Sequence, residues 1–191
     1  MMTPREWIPF SLVWLRLALS VVFPANFFLG GPGWLDLAAL LVGLTSDIFD
    51  GVLARRWGTV TPALRRYDSN VDTIFYGTAG VTAVAMNAAW LAPWRMALLA
   101  MFALMIAQNV INGFKYGRQP AYHMWSGKLW SIVLVVALGG LFLSAPLASA
   151  IDGVVVLGIL NSLEGIVATL VLPKPMTDVP TVFHAIRLAR G

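Results

Sequence analysis

The sequence predicts an all-α, polytopic membrane protein with six transmembrane helices, and three observations support this fold class. Of the 191 residues, 59% are hydrophobic and only 12% are charged, about half the charged share of an average soluble domain. Six apolar stretches each approach the roughly 20 residues that a helix needs to cross a bilayer. Glycine and proline residues separate these stretches, as expected for short connecting loops.

The predicted spans follow from the apolar stretches and the breaks between them. They are residues 9–29, 34–56, 69–91, 94–115, 126–146 and 151–172. The run from Gly30 to Gly33 separates the first two, Pro62 lies between the second and third, and Pro146 ends the fifth. We expect residues 1–191 to form a single membrane domain.

The lysine and arginine residues lie almost entirely on one predicted side of the membrane. That side carries Arg5, Arg55, Arg56, Arg65, Arg66, Lys115, Arg118, Lys128, Lys174, Arg187 and Arg190, whereas the other carries only Arg95. Because cytoplasmic loops are enriched in basic residues, we expect both termini to face the cytoplasm. Short interfacial segments are expected at both termini, over residues 1–8 and 177–190. The expected location is the cytoplasmic membrane of a bacterium.

The composition also limits the kinds of site and partner. The chain contains no cysteine, which excludes disulfides and thiolate metal sites. Its net charge is +4, but the basic residues flank apolar segments. That placement suits anionic lipid head groups and phosphate substrates, so we expect membrane lipids as partners and no nucleic acid.

Four of the nine acidic residues fall within residues 47–72. Asp47 and Asp50 are spaced i and i+3 on the second predicted helix, and Asp68 and Asp72 are spaced i and i+4 on the third, so each pair shares one helix face. Two antiparallel helices joined by a short loop can point these faces at each other. Carboxylates near a bilayer require a partner, and converging carboxylates suit a hard divalent cation such as Mg²⁺ or Mn²⁺.

The residues next to these aspartates suggest a phosphate-bearing ligand. Gly51 gives a ligand close access to the backbone, and Ala54, one turn further on, keeps that helix face open. Arg55 can place its planar guanidinium on two phosphate oxygens at once. The sequence therefore indicates a metal site beside a phosphate site.

This window resembles the signature of the CDP-alcohol phosphatidyltransferase family. That signature reads Asp-x-x-Asp-Gly-x-x-Ala-Arg, eight residues, Gly, three residues, Asp, three residues, Asp. The chain agrees with its spacing and with its residues at Asp47, Asp50, Gly51, Ala54, Arg55, Asp68 and Asp72. It departs at Leu64, which replaces the second glycine. Pro9 and Arg16 are also similar to the family's first-helix pattern, although Phe10 and Val13 stand where Asn and Thr are common.

The resemblance implies an activity: transfer of a phosphatidyl group from CDP-diacylglycerol to a small polar alcohol, with release of CMP. It implies two Mg²⁺ or Mn²⁺ ions per subunit of a homodimer, in an active site that faces the cytoplasm. Asp47, Asp50 and Asp68 would hold the cations, and Asp72 would be the general base and a fourth candidate ligand. The implied contacts to the CDP moiety are Asp50, Gly51, Ala54, Arg55 and the position of Leu64.

The acceptor alcohol stays open at this point. The surplus of cytoplasmic cations, notably Arg65, Arg118 and Lys128, favours an acceptor with its own phosphate, such as glycerol 3-phosphate. The remaining polar residues of the cytoplasmic half are expected to line one cavity with the aspartates. These residues are Arg16, Asn109, Asn112, Lys115, His123, Lys128, Asn161 and Glu164, with Glu164 and Asn161 as alternative partners of Arg16 or Lys128.

Three other interpretations of the aspartates are possible. They could form a buried ion-pair network with Arg55, Arg56, Arg65 and Arg66, or bind a divalent cation in a binding or transport protein. The chain could also be a family member that has lost activity, with Leu64 as its mark. A transport site belongs near the bilayer midplane, whereas these aspartates lie towards the cytoplasmic boundary beside arginines. That location favours phosphate chemistry.

Overall fold

A computed structural model shows that helices make up most of the described chain. It describes the backbone of residues 4–59 and 62–190, and the side chains there except those of residues 4–6, 9, 55, 62–66 and 69. The helices are α1 (Pro4–Leu19), α2 (Val22–Leu29), α3 (Gly33–Trp57), α4 (Pro62–Met86), α5 (Arg95–Tyr116), α6 (Trp125–Phe142), α7 (Ala148–Val171) and α8 (Val182–Arg190). A short 3₁₀ turn, Ala92–Trp94, precedes α5. The all-α prediction is confirmed.

Five segments of the described chain are long and apolar enough to cross a membrane. They are Phe10–Leu29, Gly33–Ala54, Ala92–Tyr116, Trp125–Phe142 and Ala148–Val171, which match the first, second, fourth, fifth and sixth predicted spans. The third predicted span, 69–91, overlaps α4. This helix has 25 residues, enough to cross a bilayer, but its first half is polar. The chain is thus an integral membrane protein by its helices.

Each predicted interfacial segment contains helix in its described part, and residues 1–3 of the first lie outside the described residues. Residues 4–8 form the start of α1 rather than a helix of their own. At the other end, α8 begins at Val182, later than the predicted 177. The reason is that the preceding residues pair with another segment: the Asp178 and Val179 amides donate to the Ala121 and Tyr122 carbonyls.

Residues 1–88 and 138–146 form the first of two compact units. In this unit, α1 packs against α3 and α4, and α2 packs against the same two helices. Fully buried Phe23 meets the Phe75 ring edge-on, with ring centroids 5.3 Å apart, and stacks on Phe142 at 5.6 Å. Gly43 lies against the Phe75 ring, where a Cβ would collide. This aromatic cluster fixes α2 on its neighbours.

A stability prediction follows from this cluster. We expect Phe23→Ala to lower the free energy of unfolding by about 3 kcal/mol or more, because it leaves a cavity among packed rings. The matched control is Phe28→Ala in the same helix, since Phe28 is 83% exposed. Denaturant unfolding of both variants in detergent would measure the difference. Equal losses would show that the aromatic cluster does not stabilise the unit.

Buried polar groups join α2 to α3 at the end of the first unit away from the aspartate window. The Asn26 side-chain amide donates to Asp36 Oδ2 at 2.7 Å and to the Pro32 carbonyl at 3.1 Å. Gly30 ends α2 in the left-handed region, with φ 65°, which glycine adopts without steric cost. The two helices can therefore reverse direction in a short turn.

Residues 89–137 and 147–191 form the second unit. Here α5 packs against α7, and α7 packs against α8. Gly158 lies against Met101 and Trp130, and Gly165 lies against Gln108, so a Cβ at either position would force these side chains to shift. The match of small to large residues lets these helices approach closely. The prediction of a single domain over residues 1–191 stays a prediction.

Candidate metal centre and active site

The four aspartates of the window converge in the first unit. Asp47 and Asp50 lie on α3, and Asp68 and Asp72 lie on α4. One carboxylate oxygen from each of Asp47, Asp50 and Asp68 lies within 4.8 Å of the other two. The helical spacing therefore turns each pair of carboxylates towards the other pair, as the sequence predicts.

Arg16 of α1 lies in the middle of this cluster. Its Nη1 donates hydrogen bonds to Asp47 Oδ1 at 2.8 Å and to Asp72 Oδ1. Its Nη2 donates to Asp68 Oδ1 at 2.9 Å and to Asp50 Oδ2. The Arg16 side chain is fully buried, and its Nε has no hydrogen-bond partner among the described residues. One guanidinium thus binds all four carboxylates.

The net charge of the cluster is negative enough to attract a further cation. With all four carboxylates ionised, they and the Arg16 guanidinium carry a formal charge of −3. Crowded like charges repel unless an opposite charge stabilises them. The Arg16 guanidinium offsets a quarter of this carboxylate charge, so the site retains a strong attraction for a divalent cation.

The cluster has a buried end and an open face. The Asp50 side chain is 7% exposed, whereas those of Asp47, Asp68 and Asp72 are 35%, 34% and 31% exposed. Asp50 therefore anchors the deep end of the site. The other three carboxylates present oxygens that a ligand or substrate can reach from outside.

The donor set fits a hard divalent cation. Mg²⁺ binds oxygen ligands at about 2.1 Å, so two ligands on opposite sides of the ion lie about 4.2 Å apart. The 4.8 Å spread of the Asp47, Asp50 and Asp68 oxygens exceeds that distance by little. Carboxylates are the ligands that Mg²⁺ and Mn²⁺ prefer. Small side-chain adjustments would bring these three residues onto one ion.

The predicted donor-binding residues are described only in part. Ala54 is buried and Gly51 is half-buried on α3, one turn or less beyond Asp50. The side chains of Arg55, Leu64, Arg65 and Arg66 lie outside the described residues. Three of the four arginines in the proposed ion-pair network therefore have no described side chain. The described partner of the carboxylates is instead Arg16.

The sequence model of the family described as CDP-alcohol phosphatidyltransferase matches residues 6–171. The chain belongs to the CDP-alcohol phosphatidyltransferase family. The match includes Arg16 and all four aspartates, and it extends across both units. Searches of curated proteins and of solved structures gave no significant match. Membership in the family establishes the class: a membrane transferase for phospholipid synthesis that moves a phosphatidyl group from a CDP-alcohol.

A separate polar cavity lies within the second unit of this family member. Its volume is about 320 Å³, and the polar side chains that line it are Gln108, Tyr122, His123, Lys128, Ser131 and Asn161. The Lys128 ammonium lies 4.3 Å from the centroid of the Trp125 ring. Of the predicted acceptor-binding residues, Lys128 lines this cavity. Arg118 is exposed and does not line it.

Several other polar residues form a network of their own rather than lining that cavity. Asn112 accepts a hydrogen bond from the Thr169 hydroxyl at 2.6 Å and donates to Gln119. The Lys115 ammonium donates to the carbonyls of Thr169 and Leu170, near the C-terminus of α7, where a cation is favourable. Asn112 and Lys115 thus bond to the last turn of α7, and the expectation that they line one cavity with the aspartates stays a prediction.

The sixth-helix pair also has a different partner from the expected ones. Glu164 accepts a hydrogen bond from the Ser126 hydroxyl at 2.5 Å, and Asn161 accepts one from the same hydroxyl at 3.2 Å. These bonds join the start of α6 to α7. The described hydrogen-bond partner of the Glu164 carboxylate is thus Ser126.

The sequence places Arg16 in one cavity with the aspartates but does not predict its central position or its pairing with all four of them. The sequence does indicate a pairing with acidic residues, because Arg16 is a basic residue within the first apolar span. A charge there requires an opposite charge on a neighbouring helix. The four aspartates are the obvious candidates for that charge. Arg55 and Arg56 lie beside the aspartates in sequence, whereas Arg16 lies next to them only in the fold.

Proposed function

We propose that this family member transfers a phosphatidyl group from CDP-diacylglycerol to a small polar alcohol and releases CMP. The observation that carries this proposal is the convergence of Asp47, Asp50, Asp68 and Asp72 on one partly open site. These residues belong to the signature that the sequence shares with the family, and the family match supports the reaction class.

The proposal assigns cation binding to Asp47, Asp50 and Asp68. The family is generally dependent on divalent metals, and the oxygen-only ligand set supports Mg²⁺ or Mn²⁺. The proposed number is two ions per subunit. When bound, such cations neutralise charge on the phosphoryl oxygens and align the leaving group. Asp50, at the buried end, would fix the depth of the site, and the more exposed Asp47 and Asp68 would leave space for phosphate oxygens.

We assign the role of general base to Asp72. Its side chain is 31% exposed, so an acceptor hydroxyl can approach it. In the proposed step the acceptor oxygen attacks the phosphorus that carries diacylglycerol, and the hydroxyl proton passes to the Asp72 carboxylate. A bond forms between the acceptor oxygen and phosphorus. The bond from that phosphorus to the bridging oxygen of the pyrophosphate breaks, and CMP leaves with both electrons.

The donor side of the site is assigned by the signature. Gly51 and Ala54 would allow the CDP moiety to lie close to α3, because neither residue projects a bulky side chain. Arg55 would bind phosphate oxygens. Leu64 stands where the family has glycine, so it would determine how closely the nucleotide approaches the first turn of α4.

A phosphorylated polyol, with glycerol 3-phosphate as the first candidate, is the proposed acceptor. The support comes from the cavity of the second unit, where Lys128 and His123 stand beside amide and hydroxyl side chains. The lysine ammonium can bind the phosphate group of the acceptor, and the amide and hydroxyl side chains can bind its free hydroxyls. Arg65 and Arg118 stay secondary candidates for the same role.

This acceptor assignment makes a kinetic prediction. We expect Lys128→Ala to raise the KM for glycerol 3-phosphate by roughly ten- to a hundredfold, since a hydrogen bond to a charged group contributes about 1.5–3 kcal/mol. The kcat should change little. The matched control is Lys174→Ala, which removes an exposed lysine outside the cavity. An unchanged KM in the Lys128 variant would remove the cavity from the acceptor site.

The proposed setting is the cytoplasmic side of a bacterial membrane. The lysine and arginine distribution supports an orientation with both termini in the cytoplasm. We further propose that residues 1–191 act as one catalytic domain, since the family match extends across both units, and that the protein is a homodimer. Cysteine-accessibility labelling at each predicted loop would test the orientation, because the native chain has no cysteine.

The acceptor panel is the experiment that tests the proposed reaction. Purified protein in detergent would receive CDP-diacylglycerol and Mn²⁺ with glycerol 3-phosphate, inositol phosphate, inositol, serine or choline. CMP and the lipid product would be measured by mass spectrometry. We expect CMP release with one acceptor and the matching phosphatidyl product. Mn²⁺ binding without CMP release for any acceptor would favour a cation-binding protein, or a family member inactivated at Leu64; restored activity in Leu64→Gly would identify the latter.

A further inference from the structure

The Arg16 guanidinium already occupies the place where a positive charge is most favourable. It donates to one oxygen of each of the four carboxylates, including the three that are spaced for a metal ion. A cation bound by Asp47, Asp50 and Asp68 would draw on the same three carboxylates. The cation and the guanidinium would then share these carboxylates, and each positive charge would weaken the attraction of the carboxylates for the other.

Among the described residues, the hydrogen-bond partners of the Arg16 side chain are these four carboxylates. Arginine has five N–H donors. Its two terminal nitrogens bind the aspartates, while the buried Nε–H has no partner among the described residues. No described acceptor fixes the guanidinium from behind. The position of this group is thus set by the aspartates, and it can change when their charge is neutralised by another ion.

We infer that Arg16 is a positioning residue that serves as the counter-ion of the aspartate cluster and competes with the divalent cation for its carboxylates. This inference rests on the proposed metal site. With the cation absent, Arg16 holds α3 and α4 together through α1, which packs against both. With the cation bound, the carboxylates exchange hydrogen bonds from Arg16 for metal–oxygen bonds. The affinity for the cation is then lower than that of four free carboxylates.

Removal of the Arg16 guanidinium should lower the stability of the metal-free protein and raise its affinity for the metal. Removal of the guanidinium leaves four crowded carboxylates without their counter-ion, which destabilises the metal-free protein because buried charges require a partner. The same removal changes the formal charge of the site from −3 to −4 and frees every carboxylate for the metal. If Arg16 formed only a structural ion pair, its removal would lower the metal-free stability without raising the metal affinity.

The test compares the wild type with Arg16→Gln and Arg16→Lys in detergent. Free Mn²⁺ is measured by electron paramagnetic resonance during titration, and thermal unfolding is recorded in EDTA and in excess Mn²⁺. For Arg16→Gln we expect Mn²⁺ affinity at least about tenfold tighter than in the wild type. We also expect a lower Tm in EDTA and a larger rise in Tm with Mn²⁺, since a tighter ligand stabilises the folded state more.

Two further variants make the result specific. Arg16→Lys keeps the charge but has three donors on a compact ammonium, which cannot reproduce the four-carboxylate contact, so its Mn²⁺ affinity should lie between the other two. Arg95→Gln removes an exposed arginine of the second unit and should leave the affinity unchanged. If Arg16→Gln cannot be purified without metal, purification in Mn²⁺ followed by titration against a chelator gives the same comparison.

The outcomes separate this inference from the metal site itself. Equal or weaker Mn²⁺ affinity in Arg16→Gln and Arg16→Lys, with normal binding by the wild type, would overturn the competition while leaving the metal site intact. A complete lack of Mn²⁺ binding by the wild type would contradict the metal site on which the inference rests. Tighter binding in Arg16→Gln but not in Arg95→Gln would establish Arg16 as the competing counter-ion.

Discussion

Asp72→Asn should reduce the rate of CMP release from CDP-diacylglycerol by about a hundredfold or more. The amide is nearly the same size as the carboxylate but cannot take the proton of the acceptor hydroxyl, and a positioned general base contributes about 10²–10⁴-fold to a rate. The cations would still be held by Asp47, Asp50 and Asp68 under the proposed assignment. We therefore expect Mn²⁺ binding to persist in this variant, with at most a modest loss of affinity.

The matched control for this variant is Asp152→Asn. Asp152 is an exposed carboxylate of the second unit that accepts a hydrogen bond from the Trp94 indole at 2.7 Å, so it should not affect the reaction. Initial rates at saturating donor and acceptor would be compared for both variants and the wild type. Near-normal turnover by the Asp72 variant would exclude Asp72 as the general base.

Asp50→Asn should abolish both activity and tight Mn²⁺ binding. Asp50 is the most buried of the four carboxylates, at 7% exposure, so no solvent molecule easily takes over its place as a ligand. Loss of groups that merely orient a metal ligand typically costs 10–100-fold in affinity, and loss of a ligand itself should cost at least about a hundredfold. Electron paramagnetic resonance titration with Mn²⁺ measures this loss directly.

The two aspartate variants together distinguish a ligand from a base. If Asp50 holds the cation and Asp72 accepts the proton, the Asp50 variant loses binding and turnover, whereas the Asp72 variant loses mainly turnover. If the Asp72 variant instead lost binding and turnover while the Asp50 variant lost mainly turnover, Asp72 would be the ligand and Asp50 the base. Equal binding by Asp50→Asn and the wild type would show that the deep end of the cluster does not hold the cation.

Five of the six predicted spans match described helices that are long and apolar enough to cross a membrane, so apolar length alone predicts their positions. The break between α1 and α2 was not predicted, since apolar residues continue on both sides of it. Its cause is Pro24, which has no backbone N–H and whose ring crowds the carbonyl of Ser20. The start of α4 was placed too late, because the polar residues after Pro62 resemble a loop, although proline is favourable in the first turn of a helix.

In the candidate site too, the spacing within each helix predicts some features, whereas others depend on how the helices pack together. The i, i+3 and i, i+4 spacings placed two carboxylates on each of two helices, and a short loop brought the helices together. The central position of Arg16 depends on how α1 packs between α3 and α4, which sequence spacing within one helix does not specify. The same is true of Glu164, whose hydrogen bond to Ser126 joins residues 38 positions apart.

The most direct test of the central claim, that the aspartate cluster is the metal-dependent catalytic centre, is the rate of CMP release through one cycle of chelation. The wild-type protein would be assayed with CDP-diacylglycerol and its acceptor as purified, after EDTA treatment, and after Mn²⁺ is added back. The account predicts loss of CMP release in EDTA, recovery with Mn²⁺, and no recovery in Asp50→Asn. CMP release that persists in EDTA, or Mn²⁺-supported turnover by Asp50→Asn, would contradict it.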